Sequence, residues 1–460
     1  MKIYSQDTDV LHAAKNRMEF IFDNYECVVV SYSGGKDSTV LLQLAKNEAI
    51  KRDRKIYALF VDPEAQYNET ILQIERAIIS DSYIIPIWVC IPLLWRNGLS
   101  VFQPHWKSWD ITQKQIWVRD YPNYDCVVKD ESVYPFYNNN FGIDDFVVEF
   151  PKWFCQQNGY ANYASLVGIR ADESFHRYTA IKGKRKKNYL KIGNQKIKWS
   201  TIPSEKFSNI VNLYPIYDWH VSDIWKYIYD EKLPYNKIYD LMYLAGTPLV
   251  EQRICQPYGD EQRRGLDLWA KIEPDTWHKA LNRVSGVNMG AIYAGQKMLG
   301  YKQSLGVPDG YTWKTYTFFL LSTLPETVRE KHLANFAIAL EWYMKERYYD
   351  NVSEIPENDT LIDNPSGFNI PSWRKFCLAI IKNDFWGTTL DIGITKYPNS
   401  DIYESVDTTG HINVRISVKP FYEYLCSIYN DYVRTGKVEF DFVHPTVDRN
   451  TAIKEKWLYL

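Results

Sequence analysis

The sequence predicts an α/β protein: a parallel sheet with helices on both faces, followed by a mostly helical C-terminal extension. Three observations carry that reading. Continuous apolar runs rich in β-branched residues recur in the N-terminal half, as expected of strands buried on both sides. Stretches with helical periodicity separate them. Polar turns, SGGKDS, DPEAQY and RADES, stand where those strands would end, which is where such sheets collect ligands.

In chain order, CVVVSYS (Cys27 to Ser33) reads as the first strand and DSTVLLQLAKNEA (Asp37 to Ala49) as the helix behind it. KIYALFVD (Lys55 to Asp62) is the second strand, followed by the helical ETILQIERAIIS. YIIPIWVCI (Tyr83 to Ile91) and YASLVGI (Tyr163 to Ile169) are the third and fourth. From Asp218 onward the pattern turns helical, with Ser222 the expected N-cap of HVSDIWKYIYDEKL. IPENDTLIDNPSGFNIPSW (Ile355 to Trp373) has the composition of a boundary or long loop, and the short helix WRKFCLAIIKND follows it. These breaks divide the 460 residues into 1–265, a nucleotide-site candidate domain, 266–354, a helical extension, and 355–460, an α+β extension.

Bulk properties narrow the function classes. A net charge of −2 gives no global attraction to a polyanion. The 16 Trp, 36 Tyr and 20 Phe imply heavy cores and interfaces before they imply base stacking. Seven scattered cysteines contain no Cys-x-x-Cys, so neither a zinc or iron–sulfur site nor a disulfide framework has support. The charged opening lacks the apolar core of a signal peptide, and no apolar run approaches a membrane span. A cytoplasmic protein without membrane contact is expected.

The turn after the first strand carries the chemistry. Gly34 and Gly35 let backbone N–H groups approach an oxyanion, the helix that follows aims its N-terminal dipole at the same point, and Lys36 adds a point charge. A polyphosphate fits that combination. The loop is not a Walker A motif, which needs glycine where Val30 stands and Ser or Thr where Asp37 stands.

SGGKDS after a strand resembles the signature of the PP-loop ATP pyrophosphatases, of adenine nucleotide α-hydrolase-like fold. VGIRADES (Val167 to Ser174) and YPIYDWHVSDIWKYI (Tyr214 to Ile228) are similar to the phosphoadenylyl-sulfate (PAPS) reductase and sulfate adenylyltransferase branch. The run from PYNKIYDLMYLAGT through RICQPYGDEQRRGL resembles the immunoglobulin-binding regulator A type, a predicted PAPS sulfotransferase with an uncharacterised C-terminal extension. The resemblance implies that Ser33, Gly34, Gly35, Lys36, Asp37 and Ser38 cradle pyrophosphate, and that Asp62 lies near the nucleoside. It adds Gly168 to the nucleotide-binding set and makes Arg170 an anion contact across the site, with Lys36, Asp37 and Arg170 as the catalytic set.

The implied substrate is ATP, with Mg²⁺ arriving on its phosphates and Asp37 the one candidate protein ligand. The implied chemistry is that of an ATP pyrophosphatase or adenylyltransferase-type enzyme: cleavage at the α-phosphate with pyrophosphate release. One alternative is a PAPS reductase or sulfotransferase. Another is a nucleotide-gated regulatory or defence component acting with a ParB-like partner. Asp172 and Glu173 read as caps of the next helix ahead of metal ligands. No general base announces itself.

Secondary signals remain open. KGKRKKNYLKIGNQKIK (Lys182 to Lys198) holds eight Lys or Arg and no acid, and is either a solvated hairpin or a basic flap for phosphates or nucleic acid. Cys426 reads as a core thiol, whereas Cys255, near Arg253, Arg263 and Arg264, is the candidate reactive one. Trp106, Trp109 and Trp117 read as loop anchors, Arg119 as a candidate phosphate contact, and His105, His176 and His220 as surface or capping residues. The glycines of VSGVNMGAIYAG suit close helix packing.

Overall fold

The computed structural model describes residues 8–100, 103–174, 177–178, 181, 188–192, 195–203, 209–254, 258–259, 265–287, 306–345, 352–359, 372–384, 387, 389–390, 413–414, 418–438 and 458–459. The chain divides into two compact units, Met1–Asn97 with His105–Asn288, and Gly98–Pro104 with Met289–Leu460.

The first unit is built on β1 (Cys27–Ser31), β2 (Ile56–Val61), β3 (Ile84–Val89), β4 (Leu93–Arg96), β5 (His105–Ser108), β6 (Val127–Val128), β7 (Tyr163–Val167), β8 (Leu190–Ile192), β9 (Gln195–Ile197), β10 (Ser200–Thr201) and β11 (Ile210–Leu213). Seven of them form one sheet in the order β10-β11-β7-β1-β2-β3-β6. All neighbours are parallel except β10 with β11. Consecutive residues of β1, Cys27 to Val30, are all buried, which a strand shows only when both sheet faces are covered.

The helices are α1 (Val10–Asn24), α2 (Lys36–Lys51), α3 (Asn68–Ile78), α4 (Ile143–Asn158), α5 (Val221–Asp230), α6 (Ile238–Leu244), α7 (Leu266–Ile272) and α8 (Pro274–Arg283). The predicted strands all form, each shorter than its apolar run. The strand at Ile210–Leu213, which aligns with β7 through Ile210 on Tyr163 and Leu213 on Leu166, is an addition to the sequence reading. Helix α5 begins at Val221, so the expected cap at Ser222 is corrected. His220 holds the cap position, and its N–H donates to Asp223 Oδ2 at 2.7 Å because Asp223 reaches back one turn.

The connectivity places the site. From β1 the chain crosses through α2 to β2 on one side, whereas β7 joins β1 on the other. The crevice at the carboxyl ends of β1 and β7 is therefore the topological switch point.

The second unit is mostly helical where described, with α9 (Trp313–Thr323), α10 (Glu326–Lys345), α11 (Trp373–Ile381) and α12 (Lys419–Thr435), and it adds one short antiparallel pair, β12 (Asn413–Val414) with β13 (Leu458–Tyr459). Its core joins Phe318, Leu333, Leu340, Phe376 and Leu425. No described helix in the chain is long and apolar enough to cross a membrane.

Candidate functional site

Strand β1 ends at Ser31 and the chain turns through Gly34, whose φ of +73 only glycine adopts without strain. A Cβ there would also sit 3.0 Å from Ile74 Cγ1. Gly35 is the N-cap of α2, which starts at Lys36. Inside the turn Ser33 and Ser38 hydroxyls lie 3.2 Å apart, and Ser38 Oγ donates to the Gly35 carbonyl at 3.0 Å. The first-turn N–H groups of α2 and the Lys36 ammonium thus face the switch point from the β1 side.

From the β7 side comes Arg170, 4% exposed. Its Nε donates to Asp37 Oδ1 at 2.5 Å and its guanidinium to Asp172 Oδ1 at 2.5 Å. The other Asp37 oxygen is 3.3 Å from Lys36 Nζ. Asp37 therefore ties the two halves of the site together, and both its oxygens are committed to cations. Burial works against the Arg170 charge, but Asp37 and Asp172 outweigh it and hold the guanidinium pKa above its usual value. Asp172 also faces His220, its Oδ2 2.9 Å from the ring Nδ1. Asp172 and Glu173 are both engaged in ion pairs. Glu173 pairs with Arg177 and Arg253, and burial pushes its carboxyl pKa up, with the Asp37 charge adding to the rise.

Gly168 serves packing. A Cβ on it would lie 3.2 Å from Asp37 C and Ser38 N, so its lack of a side chain lets the end of β7 approach the start of α2. Asp62 sits at the end of β2, fully buried. It accepts from Trp88 Nε1 at 2.6 Å, from the Glu64 N–H at 2.8 Å and from Arg119. Arg119 lies over the ring of buried Trp109 at 4.9 Å, so the Asp62–Arg119 pair is backed by a tryptophan. Trp106, Trp109 and Trp117 are buried, as loop anchors should be.

Sequence reading missed what closes the site. Tyr239 Oη accepts from the Lys36 N–H at 3.1 Å, the Gln252 carbonyl accepts from Lys36 Nζ at 2.9 Å, and Asn236 Nδ2 donates to the Gly34 carbonyl at 3.1 Å. Glu273 accepts from the first N–H groups of α3, Asn68 at 2.8 Å and Glu69 at 3.2 Å. Arg283 forks onto Glu64 at 2.8 and 2.9 Å. Each strand-end turn thus receives a residue from 252–283, through contacts that no local pattern announces.

The six described cysteines, Cys27, Cys90, Cys126, Cys155, Cys377 and Cys426, are free and none is exposed. Burial raises the pKa of every one, that of Cys155 to about 11. Cys426 packs against the core of the second unit. Cys255, Arg263, Arg264, His176, Lys182 to Lys187 and most of VSGVNMGAIYAG lie outside the described residues. In the remainder of the basic segment, β8 and β9 pair as an antiparallel hairpin. No group of three acidic, His or Cys side chains suited to a metal occurs among the described residues.

A family model described as phosphoadenosine phosphosulfate reductase domain matches residues 134–245, and one described as Domain of unknown function (DUF3440) matches 246–363. The first begins after the SGGKDS turn and spans β7, Arg170 and α6. The chain is 37% identical over 399 residues to the uncharacterised protein YbdN of Escherichia coli, covering 86% of this chain and 93% of that one. It is 29% identical over 230 residues to the uncharacterised protein MJ0066 of Methanocaldococcus jannaschii, covering 49% and 37%. Among solved structures, the PAPS reductase of Candida auris in its phosphate complex aligns with 14% identity and a TM-score of 0.28, over 56% of this chain and 99% of that one. The FMN adenylyltransferase of Candida glabrata with FMN and an ATP analogue aligns with 16% identity and a TM-score of 0.28, over 52% and 64%.

Proposed function

The chain belongs to the family of the Escherichia coli protein YbdN, and we propose that it is a PP-loop nucleotide-binding protein that cleaves ATP at the α-phosphate and releases pyrophosphate. The observation that carries this is the meeting of Lys36 and the α2 N-terminus with Arg170 across the switch point, joined through Asp37. The loop amides and Lys36 stabilise charge on the departing pyrophosphate, and Arg170 orients the acceptor at the α-phosphorus. Lys36 and Arg170 are offset by Asp37 and Asp172, so the site itself carries little net charge for a polyphosphate. Mg²⁺ brought by the nucleotide supplies the neutralisation, since both Asp37 oxygens are already engaged.

The match over 134–245, which spans β7 and Arg170, supports a second reading of the substrate, a sulfonucleotide such as PAPS. A reductase needs a thiol that accepts sulfur; burial raises the pKa of all six described cysteines, which leaves Cys255, outside the described residues, as the candidate for that role. The finer likeness to the immunoglobulin-binding regulator A type, with a ParB-like partner, belongs to the nucleotide-gated version of the proposal.

Incubation of the chain with α-labelled ATP and Mg²⁺ tests the reaction. The expected products are labelled AMP, or a labelled adenylylated acceptor, together with pyrophosphate. Labelled ADP as the primary product overturns cleavage at the α-phosphate. Binding without any product moves the reading to nucleotide gating of a partner.

A further inference from the structure

Helix α2 opens with a buried N–H at Lys36 and a buried ammonium on the same residue, and donors taken out of water need acceptors. Both find them on one segment that follows α5. The Lys36 N–H donates to Tyr239 Oη at 3.1 Å, and Lys36 Nζ donates to the Gln252 carbonyl at 2.9 Å while lying 4.9 Å over the Tyr239 ring. These are the two donors that the proposed function assigns to phosphate oxygens. We propose that the strap Asn236–Gln252 is a built-in competitor for the nucleotide site, and that a bound polyphosphate displaces Tyr239 Oη and the Gln252 carbonyl from Lys36. This inference rests on the nucleotide reading and names its regulation.

The strap is anchored at both ends and exposed between them. Asn236 is fully buried. Its Nδ2 donates to the Gly34 carbonyl and to Thr70 Oγ1 at 2.9 Å, while its Oδ1 accepts from the Ile238 N–H at 3.0 Å and starts α6. Beyond Met242 the chain leaves the body. Tyr243, Leu244 and Val250 are 64%, 80% and 66% exposed, and Gly246 turns at φ +87. Packing resumes at Gln252, 1% exposed, whose Nε2 holds the Thr247 carbonyl at 2.9 Å. A stretch with so little buried surface opens at low cost. The exposed residues 243–250 give the backbone slack to carry the Gln252 carbonyl off Lys36, against the cost of loosening the buried Gln252 side chain. The strap also crosses from the 134–245 match into the 246–363 match, so the start of the latter takes part in the site.

Titration of wild type and Tyr239→Phe with Mg·ATP reads the competition. Phenylalanine keeps the ring and removes the competing acceptor, leaving the Lys36 N–H unsatisfied until a phosphate arrives, so the variant should bind about threefold to tenfold tighter. Equal or weaker binding by the variant overturns the competitor role alone. Binding by neither protein overturns the nucleotide reading and this inference with it. Hydrogen exchange on the wild type is independent of the variant's folding. Amides of residues 243–253 should exchange faster at saturating Mg·ATP, and unchanged or slower exchange there overturns the displacement.

Discussion

Replacing Arg283 by alanine should destabilise the first unit by about 3–5 kcal/mol, the usual cost of leaving one member of a buried ion pair alone. The Arg283 side chain is 1% exposed and that of Glu64 0%. The guanidinium forks onto both Glu64 oxygens, donates to Gln113 Oε1 at 2.6 Å and to the Lys107 carbonyl, and lies 5.4 Å over the Trp106 ring. Glu64 keeps only the N–H groups of Trp109 at 2.7 Å and Val118 at 3.1 Å once the arginine is gone. Two hydrogen bonds do not offset the desolvation of a carboxylate. Denaturant unfolding checks the loss. Pairing Arg283→Met with Glu64→Gln should recover most of it, because charge and countercharge leave together. A single-variant loss below about 1 kcal/mol would mean that the pair holds nothing in place.

Lys36→Ala should weaken Mg·ATP binding by on the order of 100-fold, the loss of one charge-assisted contact to phosphate. Folding should change by no more than about 1–2 kcal/mol, since Lys36 Nζ rests on a carbonyl, a ring and Asp37, which keeps Arg170 as its partner. Calorimetric titration beside a melting curve separates the two effects. Affinity within twofold of wild type, with the fold intact, would remove Lys36 from the nucleotide site.

What the sequence makes legible follows from range. Ser33 to Ser38 are consecutive, and their glycines, lysine and strand-to-helix position carry an anion turn without reference to anything distant. Arg170 is legible because it ends an apolar run that becomes β7. The strand Ile210–Leu213 is short, its chain neighbour β10 is only Ser200–Thr201, and its parallel partner is the distant β7. The motif around Gly168 does not by itself show the close approach of two backbones there, which only three dimensions display. The strap is further from local reading still. Tyr239 meets Lys36 from 203 residues away, and Arg283 meets Glu64 from 219. Periodicity reports which face of an element is buried, not which distant side chain completes a charge.

Competition between inorganic pyrophosphate and ATP on the intact wild-type chain, followed by calorimetry, tests most directly whether the turn at Gly34 to Ser38 holds the β- and γ-phosphates. If Lys36 and the α2 N-terminus grip that unit, pyrophosphate with Mg²⁺ binds by itself and raises the apparent dissociation constant of ATP in proportion to its concentration. AMP, which lacks the gripped unit, should compete far more weakly. ATP binding that is unaffected by saturating pyrophosphate would contradict the assignment of the turn.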